Sequence, residues 1–154
     1  MEETMLLPFR RILWPTDFSD ASYEALQAAN ELASHFEAEL ILLHVVHPIA
    51  VVPGPVPGQF NGPAYQRSVE AHALKTLQDI TKKKVSDHIK VRTGVLIGPA
   101  ANAIVDSAIK EEADLIVIAT HGETGLQKLV FGSVAEKVVR LTTCPVMTIR
   151  PASE

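Results

Sequence analysis

Apolar positions along this chain fall into short unbroken runs, each followed by a segment in which they recur every three or four residues. Arg11-Ile-Leu-Trp-Pro15 is the first run, and it leads into Thr16-Asp17-Phe18-Ser19. Ala25, Ala28, Ala29, Leu32, Ala33 and Phe36 then share one helical face. Residues 40–46 are apolar without alternation, the pattern of a strand covered on both sides. Tyr65, Val69, Ala73, Leu77 and Ile80 carry a second helix. It closes on Lys82-Lys83-Lys84, cations that complement the helix dipole. Ile89, Val91, Thr93 and Val95 alternate in a third strand, which Gly98-Pro99 ends. Pro99 suits a first helical turn, and Ala101, Ile104, Val105, Ala108 and Ile109 form the stripe of a third helix. Residues 114–119 read as a fourth strand, 120–132 as a glycine-punctuated loop, and a fourth helix starts near Ser133. A last strand covers 145–150. The alternation predicts an α/β fold: a doubly wound parallel sheet with helices on both faces and right-handed crossovers.

One stretch departs from this rhythm. Residues 48–63 hold five of the ten prolines and three of the eight glycines, a density that excludes a helix or a central strand. A loop of this length is either a lid or binding segment or an insertion of no consequence. No repeat or linker divides the chain, so residues 1–154 are expected to form one domain.

Composition narrows the function classes. The 154 residues are 47% hydrophobic, 21% charged and 5% aromatic, with a net charge of −4. An acidic balance argues against a general nucleic-acid binder or a basic membrane-surface protein. No run approaches the ~18 apolar residues of a membrane span, and the acidic start of the chain is no signal peptide. The single cysteine, Cys144, has no intrachain partner, which fits a reducing, cytoplasmic setting.

In doubly wound sheets ligands sit beyond the strand C-termini, at the point where the crossovers change face. That rule singles out Pro15-Thr16-Asp17 and the loop from Ala119 to Ser133. Gly122, Gly125, Gly132 and Ser133 precede a helix, where small residues let a phosphate approach backbone N–H groups. Ser133-Val-Ala-Glu136 also reads as a capping box, so Ser133 either closes the helix start, meets phosphate, or does both. Asp17 is equally a candidate helix cap or turn acid. No G-x-x-x-x-G-K-[ST] loop is present, and no G-x-G-x-x-G follows the first strand. His44 and His47 point to opposite faces of a strand and cannot chelate one metal together. His121 is the one histidine in the glycine loop, and Cys144 reads as a small buried residue.

Taken together, Ile12-Leu-Trp-Pro-Thr-Asp-Phe-Ser19, Ala119-Thr-His-Gly122, Gly132-Ser133-Val-Ala-Glu-Lys-Val-Val-Arg140 and Cys144-Pro-Val146 resemble the universal stress proteins over nearly the whole chain. The resemblance implies an open, Rossmann-like five-stranded parallel sheet in the order 3-2-1-4-5, and often a homodimer through the last strand. Many members bind ATP through G-x2-G-x9-G-[ST], while others lack the motif. Here Gly122, Gly132 and Ser133 match it, and Ala119 stands where the first glycine would be. By the same resemblance Asp17 faces the nucleoside, with Pro15 and Thr16 beside it. Val45 offers backbone groups to the adenine edge, and Ile118 packs on sugar and base. Gly122, Gly132, Ser133 and Val134 hold the phosphates through N–H groups, with Mg²⁺ or Mn²⁺ carried mainly by those phosphates.

No nucleophile–base pair and no base for an attacking water is recognisable from spacing. Slow ATP hydrolysis or autophosphorylation is the most that the resemblance implies. The expectation is therefore a nucleotide-responsive stress protein that partners ATP and a second copy of itself, and neither nucleic acid nor membrane. Two other readings stay open. One is a dimeric scaffold or chaperone-like module whose site is empty, Ala119 marking the loss. The other is an ATP-consuming enzyme on a related sheet.

Overall fold

The computed structural model describes residues 5–49, 62–120 and 132–152. Along the chain run β1 (Arg11–Thr16), α1 (Asp20–Phe36), β2 (Glu39–Val46), α2 (Gly62–Lys84) and β3 (Val91–Ile97). They are followed by α3 (Ala100–Lys110), β4 (Leu115–Ala119), α4 (Ser133–Leu141) and β5 (Val146–Ile149). The five strands form one parallel sheet in the order β3-β2-β1-β4-β5. The expected doubly wound topology is the observed one.

Strand alternation sorts the core into two layers. Ile12, Trp14, Leu40, Leu42, Leu115 and Val117 point to one face and pack with Ala25, Leu26, Ala29 and Ala33 of α1 and Leu77 and Ile80 of α2. Leu13, Ile41, Leu43, Ile116 and Ile118 point the other way, against Ala101, Ile104, Val105 and Ala108 of α3 and Ala135 and Val138 of α4. The small residues of α1 and α3 let those helices lie close on the sheet. At the opposite end from the strand tips, Glu39 gathers Arg11, Lys90 and Arg92, and Asp114 accepts from the backbone N–H groups of Arg10 and Arg11. This polar cluster ties the starts of β1, β2 and β3 together.

Four local expectations change. Ile109 is 67% exposed. At ~100° per residue it lies about 80° round from Ala101, at the margin of the stripe, where α3 turns to solvent. Tyr65 is exposed as well. The 23 residues of α2 span about 35 Å, longer than any strand here, so its first turns overhang the sheet and only Ala73, Leu77 and Ile80 are buried. That helix begins at Gly62, two residues inside the segment expected to be loop, with Pro63 in its first turn. Ile89 is buried in the turn before β3, outside the strand.

Trp14 is fully buried in the central strand, and its indole N–H donates to the Ser22 carbonyl at 2.9 Å. Trp14→Phe removes that donor along with part of the side-chain volume. Chemical denaturation should show a loss of roughly 1–3 kcal/mol.

Cys144 leads into β5, packs against the α3/α4 layer and donates its thiol proton to the Ala113 carbonyl at 3.3 Å. Burial, and next the carboxylate of Asp114, push the thiol up from its ordinary 9.0 to about 11. At pH 8 the thiolate fraction is then about a hundredfold below that of an ordinary thiol. Iodoacetamide should accordingly label the folded protein far more slowly than the urea-unfolded chain. Equal rates would show that Cys144 is a reactive thiol.

Candidate functional site

Crossovers through α1 and α2 build one half of the sheet and those through α3 and α4 the other, so the change of direction falls between β1 and β4. The chemistry of Pro15 sharpens this switch point. Alternate residues of β1 address opposite neighbours: the Arg10 carbonyl accepts from Glu39 on the β2 side and the Arg11 carbonyl from Asp114 on the β4 side, each at 2.9 Å. Leu13 and Pro15 share the side of Arg11. Pairing with β2 continues to Thr16↔His44, whereas pairing with β4 stops at Leu13↔Ile116. The next N–H owed to β4 is that of residue 15, and proline has none. The ladder thus ends early where a ligand would sit.

Beyond Pro15 the chain makes a tightly bonded turn. Ser19 is the N-cap of α1, its hydroxyl accepting from Ser22 N at 3.2 Å. Asp17 supports that cap: its Oδ1 accepts from Ser19 N at 3.0 Å and Ser19 Oγ at 2.5 Å. The acid expected either to face a nucleoside or to cap a helix therefore has a turn-building oxygen. Ser22 Oγ donates to the Ser19 carbonyl at 2.7 Å, so the 2.8 Å contact between Thr16 Oγ1 and Ser22 Oγ uses the Thr16 proton. Thr16 Oγ1 accepts in turn from Phe18 N at 2.9 Å. Thr16, Ser19 and Ser22 are all buried, and among the described residues no buried side-chain polar atom lacks a partner.

Phe18 adopts φ 63°, in the left-handed region that costs a residue with a Cβ roughly 1–2 kcal/mol. The His44 ring stacks on it with centroids 4.3 Å apart and planes 24° from parallel. His44 Nδ1 lies 2.8 Å from the Thr16 carbonyl, an acceptor, so Nδ1 carries the proton and donates. Burial, then the carboxylates of Asp20 and Asp17, raise the nearby Tyr23 phenol. That keeps it neutral.

The remaining expected residues divide between the strand tips and α4. Val45 is half-buried at the end of β2 and packs on the α3/α4 layer; Ile118 is buried in that same layer. Ala119 ends β4 with its methyl against the α1/α2 layer, paired with Ile149. Gly132 is the N-cap of α4 at φ −60° and ψ 148°, a conformation open to any residue. The capping box does not form as expected. Gly132 occupies the cap position, Ser133 is the first helical residue, and the Glu136 carboxylate turns to Arg140 at 2.5 Å. Gly122, Gly125 and His121 lie outside the described residues.

A cavity of ≈ 450 Å³ opens between the N-terminal turns of α3 and α4. Ser133 and Val134 line it, together with His47, Asn102 and Lys137, which sequence reasoning did not single out. The α3 end carries no side-chain cap, its N-cap being Pro99. Its first-turn N–H groups are therefore donors without a helical acceptor. His44 was missed too. Only the register Thr16↔His44 sets it against the turn, and no spacing along the chain encodes a register. Among the described residues no group of three His, Cys, Asp or Glu side chains is placed to hold a metal, and no helix is long and apolar enough to cross a membrane.

The likeness to known proteins is extensive. A universal stress protein of Methanocaldococcus jannaschii is 35% identical over 142 residues, covering 92% of this chain and 82% of the relative. The universal stress protein YxiE of Bacillus subtilis is 33% identical over 147 residues, covering 92% and 99%. A solved M. jannaschii protein superposes with a TM-score of 0.81 at 25% identity, covering 96% of this chain and all of the other. Two further solved proteins share the fold at 22% and 18% identity, with TM-scores of 0.66 and 0.62. The first is a universal stress protein in complex with cAMP, the second an Arabidopsis thaliana family member with AMP bound. The universal stress protein family profile matches residues 8–150, so by profile, sequence and fold alike this chain belongs to the universal stress protein family.

Proposed function

We propose that the protein binds ATP at the switch point and acts as a nucleotide-responsive regulatory protein. The observation that carries this reading is that the interrupted β1–β4 ladder, the Asp17 turn and the start of α4 at Gly132-Ser133 all lie at the C-terminal end of the strands. Backbone donors there suit phosphate, and the adjoining cavity is of nucleotide size. The cAMP and AMP complexes of relatives support an adenine nucleotide as the class of ligand. Asp17, with Pro15 and Thr16, borders the nucleoside, Val45 and Ile118 flank the base, and Ala119 passes the sugar. Gly122, Gly132, Ser133 and Val134 hold phosphates, and Mg²⁺ or Mn²⁺ rides on those phosphates. A cytoplasmic setting fits the lone cysteine, which has no intrachain partner.

The negative φ of Gly132 makes a clean test. Gly132→Val meets no φ/ψ penalty and loses only cap preference, on the order of 1 kcal/mol, so it should still fold while its side chain blocks the approach of phosphate. Calorimetric titration should give ATP binding to wild type and none to Gly132→Val. Ser133→Ala should weaken binding about tenfold by deleting one hydrogen bond to an anion. Equal affinities in all three proteins would place the site elsewhere.

A homodimer through β5 is favoured by that strand's position and hydrogen bonding. β5 is an edge strand, half-buried at all four positions. Pro145 and Ile149 accept from Ile116 and Thr120 of the β4 side, so by alternation Val146 and Thr148 turn their N–H and C=O groups to the open edge. The residues after β5 are tied to α1, Ala152 N donating to Glu24 Oε2 at 2.9 Å. A two-fold copy would satisfy the outward groups. Thr148→Pro deletes an outward donor and leaves the β4 ladder intact. Sedimentation at micromolar concentration should find a dimer for wild type and a folded monomer for the variant; a wild-type monomer would refute the assignment.

A further inference from the structure

We propose that His44 is a positioning residue for the nucleotide site: it grips the β1–α1 turn at two points and so fixes the direction in which Asp17 is presented. The assignment of Asp17 to the nucleoside rests on the ATP reading above; the grip itself does not.

The two contacts fall on either side of Asp17. Nδ1–H donates to the carbonyl of Thr16, and the imidazole face stacks on Phe18. Thr16 is also held from its side chain, which donates to Ser22 and accepts from Phe18 N, so it has no freedom to follow a moving turn. Phe18, in contrast, sits in a left-handed conformation that an L residue leaves unless something holds it. Its N–H bond to Thr16, its packing against the α1/α2 layer and its stacking on His44 together hold it. Release of Phe18 toward extended backbone would rotate the peptide that joins it to Asp17, and the carboxylate would swing with it. His44 belongs to the same strand as Val45, whose side chain lies on the opposite face. One residue thus couples the β2 tip, expected at the base edge, to the β1 turn, expected at the sugar. Packing alone demands neither a δ-position donor nor a flat ring at residue 44. The two contacts together demand both.

The test separates the donor from the ring. Asn at position 44 places its amide nitrogen where Nδ1 stands, so His44→Asn keeps the bond to Thr16 and loses most of the stacking. His44→Phe keeps a ring and loses the donor, and His44→Ala loses both. ATP affinity by calorimetry should fall about tenfold in His44→Ala, which loses both contacts, and about threefold in His44→Asn and His44→Phe, which each lose one. In nucleotide-free protein, amide hydrogen exchange at Phe18 and Ser19 should quicken about tenfold in His44→Ala and by a smaller factor in His44→Asn and His44→Phe, while the Leu13 amide is unchanged. Phe18→Leu, altered on the far side of the stack, should quicken the same amides should position 44 tolerate no change. Exchange at Phe18 and Ser19 that matches wild type in His44→Ala would overturn the grip. Quickened exchange with unchanged ATP affinity would overturn the positioning role. A wild-type protein that fails to bind ATP would overturn the nucleotide reading, and the exchange data would still decide the grip.

Discussion

Residues Ile12 to Thr16 of β1 are buried along their whole length, with neighbouring strands on both edges and helices on both faces. A parallel strand in that position has no solvent to receive its backbone groups, so each N–H and C=O must find a strand neighbour. Much of the molecule answers that demand. β2 satisfies one edge completely, β4 only as far as Leu13, and Trp14 adds an indole bond to Ser22 that pins α1 over the sheet. Pro15 is the one residue in the strand that needs no N–H partner. At this place, near the C-terminal end of the strand, an incomplete ladder costs least, because the missing bond has no donor behind it.

The same end of β1 shows how a polar turn is accommodated against a dry core. Thr16, Ser19 and Ser22 are buried hydroxyls whose protons and lone pairs close on one another and on backbone groups. A buried hydroxyl left unpaired would cost more than the net gain of any single bond in the set. The turn consequently behaves as one unit, and the left-handed Phe18 is tolerated inside it because its neighbours determine it several times over. The turn lies at the same end of the sheet as the start of α4, the arrangement on which the proposed nucleotide site rests.

The charged residues divide the molecule functionally. Glu39, Arg11, Lys90, Arg92 and Asp114 lie at the strand starts, away from the switch point, and serve to knit β1, β2 and β3 together. Lys137 and the paired Glu136 and Arg140 lie around the cavity at the other end, beside the uncapped start of α3. The proposed nucleotide site lies at this second end, where the strands have their C-termini.

Local pattern was enough to read the element order, the parallel sheet and most of the core. A strand buried on both faces and a helix buried on one leave distinct periodicities, as residues 40–46 and the α1 alanines illustrate. The switch-point rule added the candidate segments, Pro15-Thr16-Asp17 and Ala119 to Ser133, and family resemblance assigned roles within them. Other features depend on the relation between elements distant in sequence. Tyr65 and Ile109 carry the right period yet are exposed, because the extent of the sheet and the rotation of a helix upon it decide burial. Ser133 and Glu136 have capping-box spacing, but the chain enters α4 with Gly132 at the cap and Arg140 takes the glutamate. The grip of His44 on Thr16 and Phe18 spans 28 residues and exists only because β1 and β2 pair in one particular register. Spacing along the chain sets which faces are apolar; register and crossing geometry, settled by packing the whole sheet at once, set which polar groups meet.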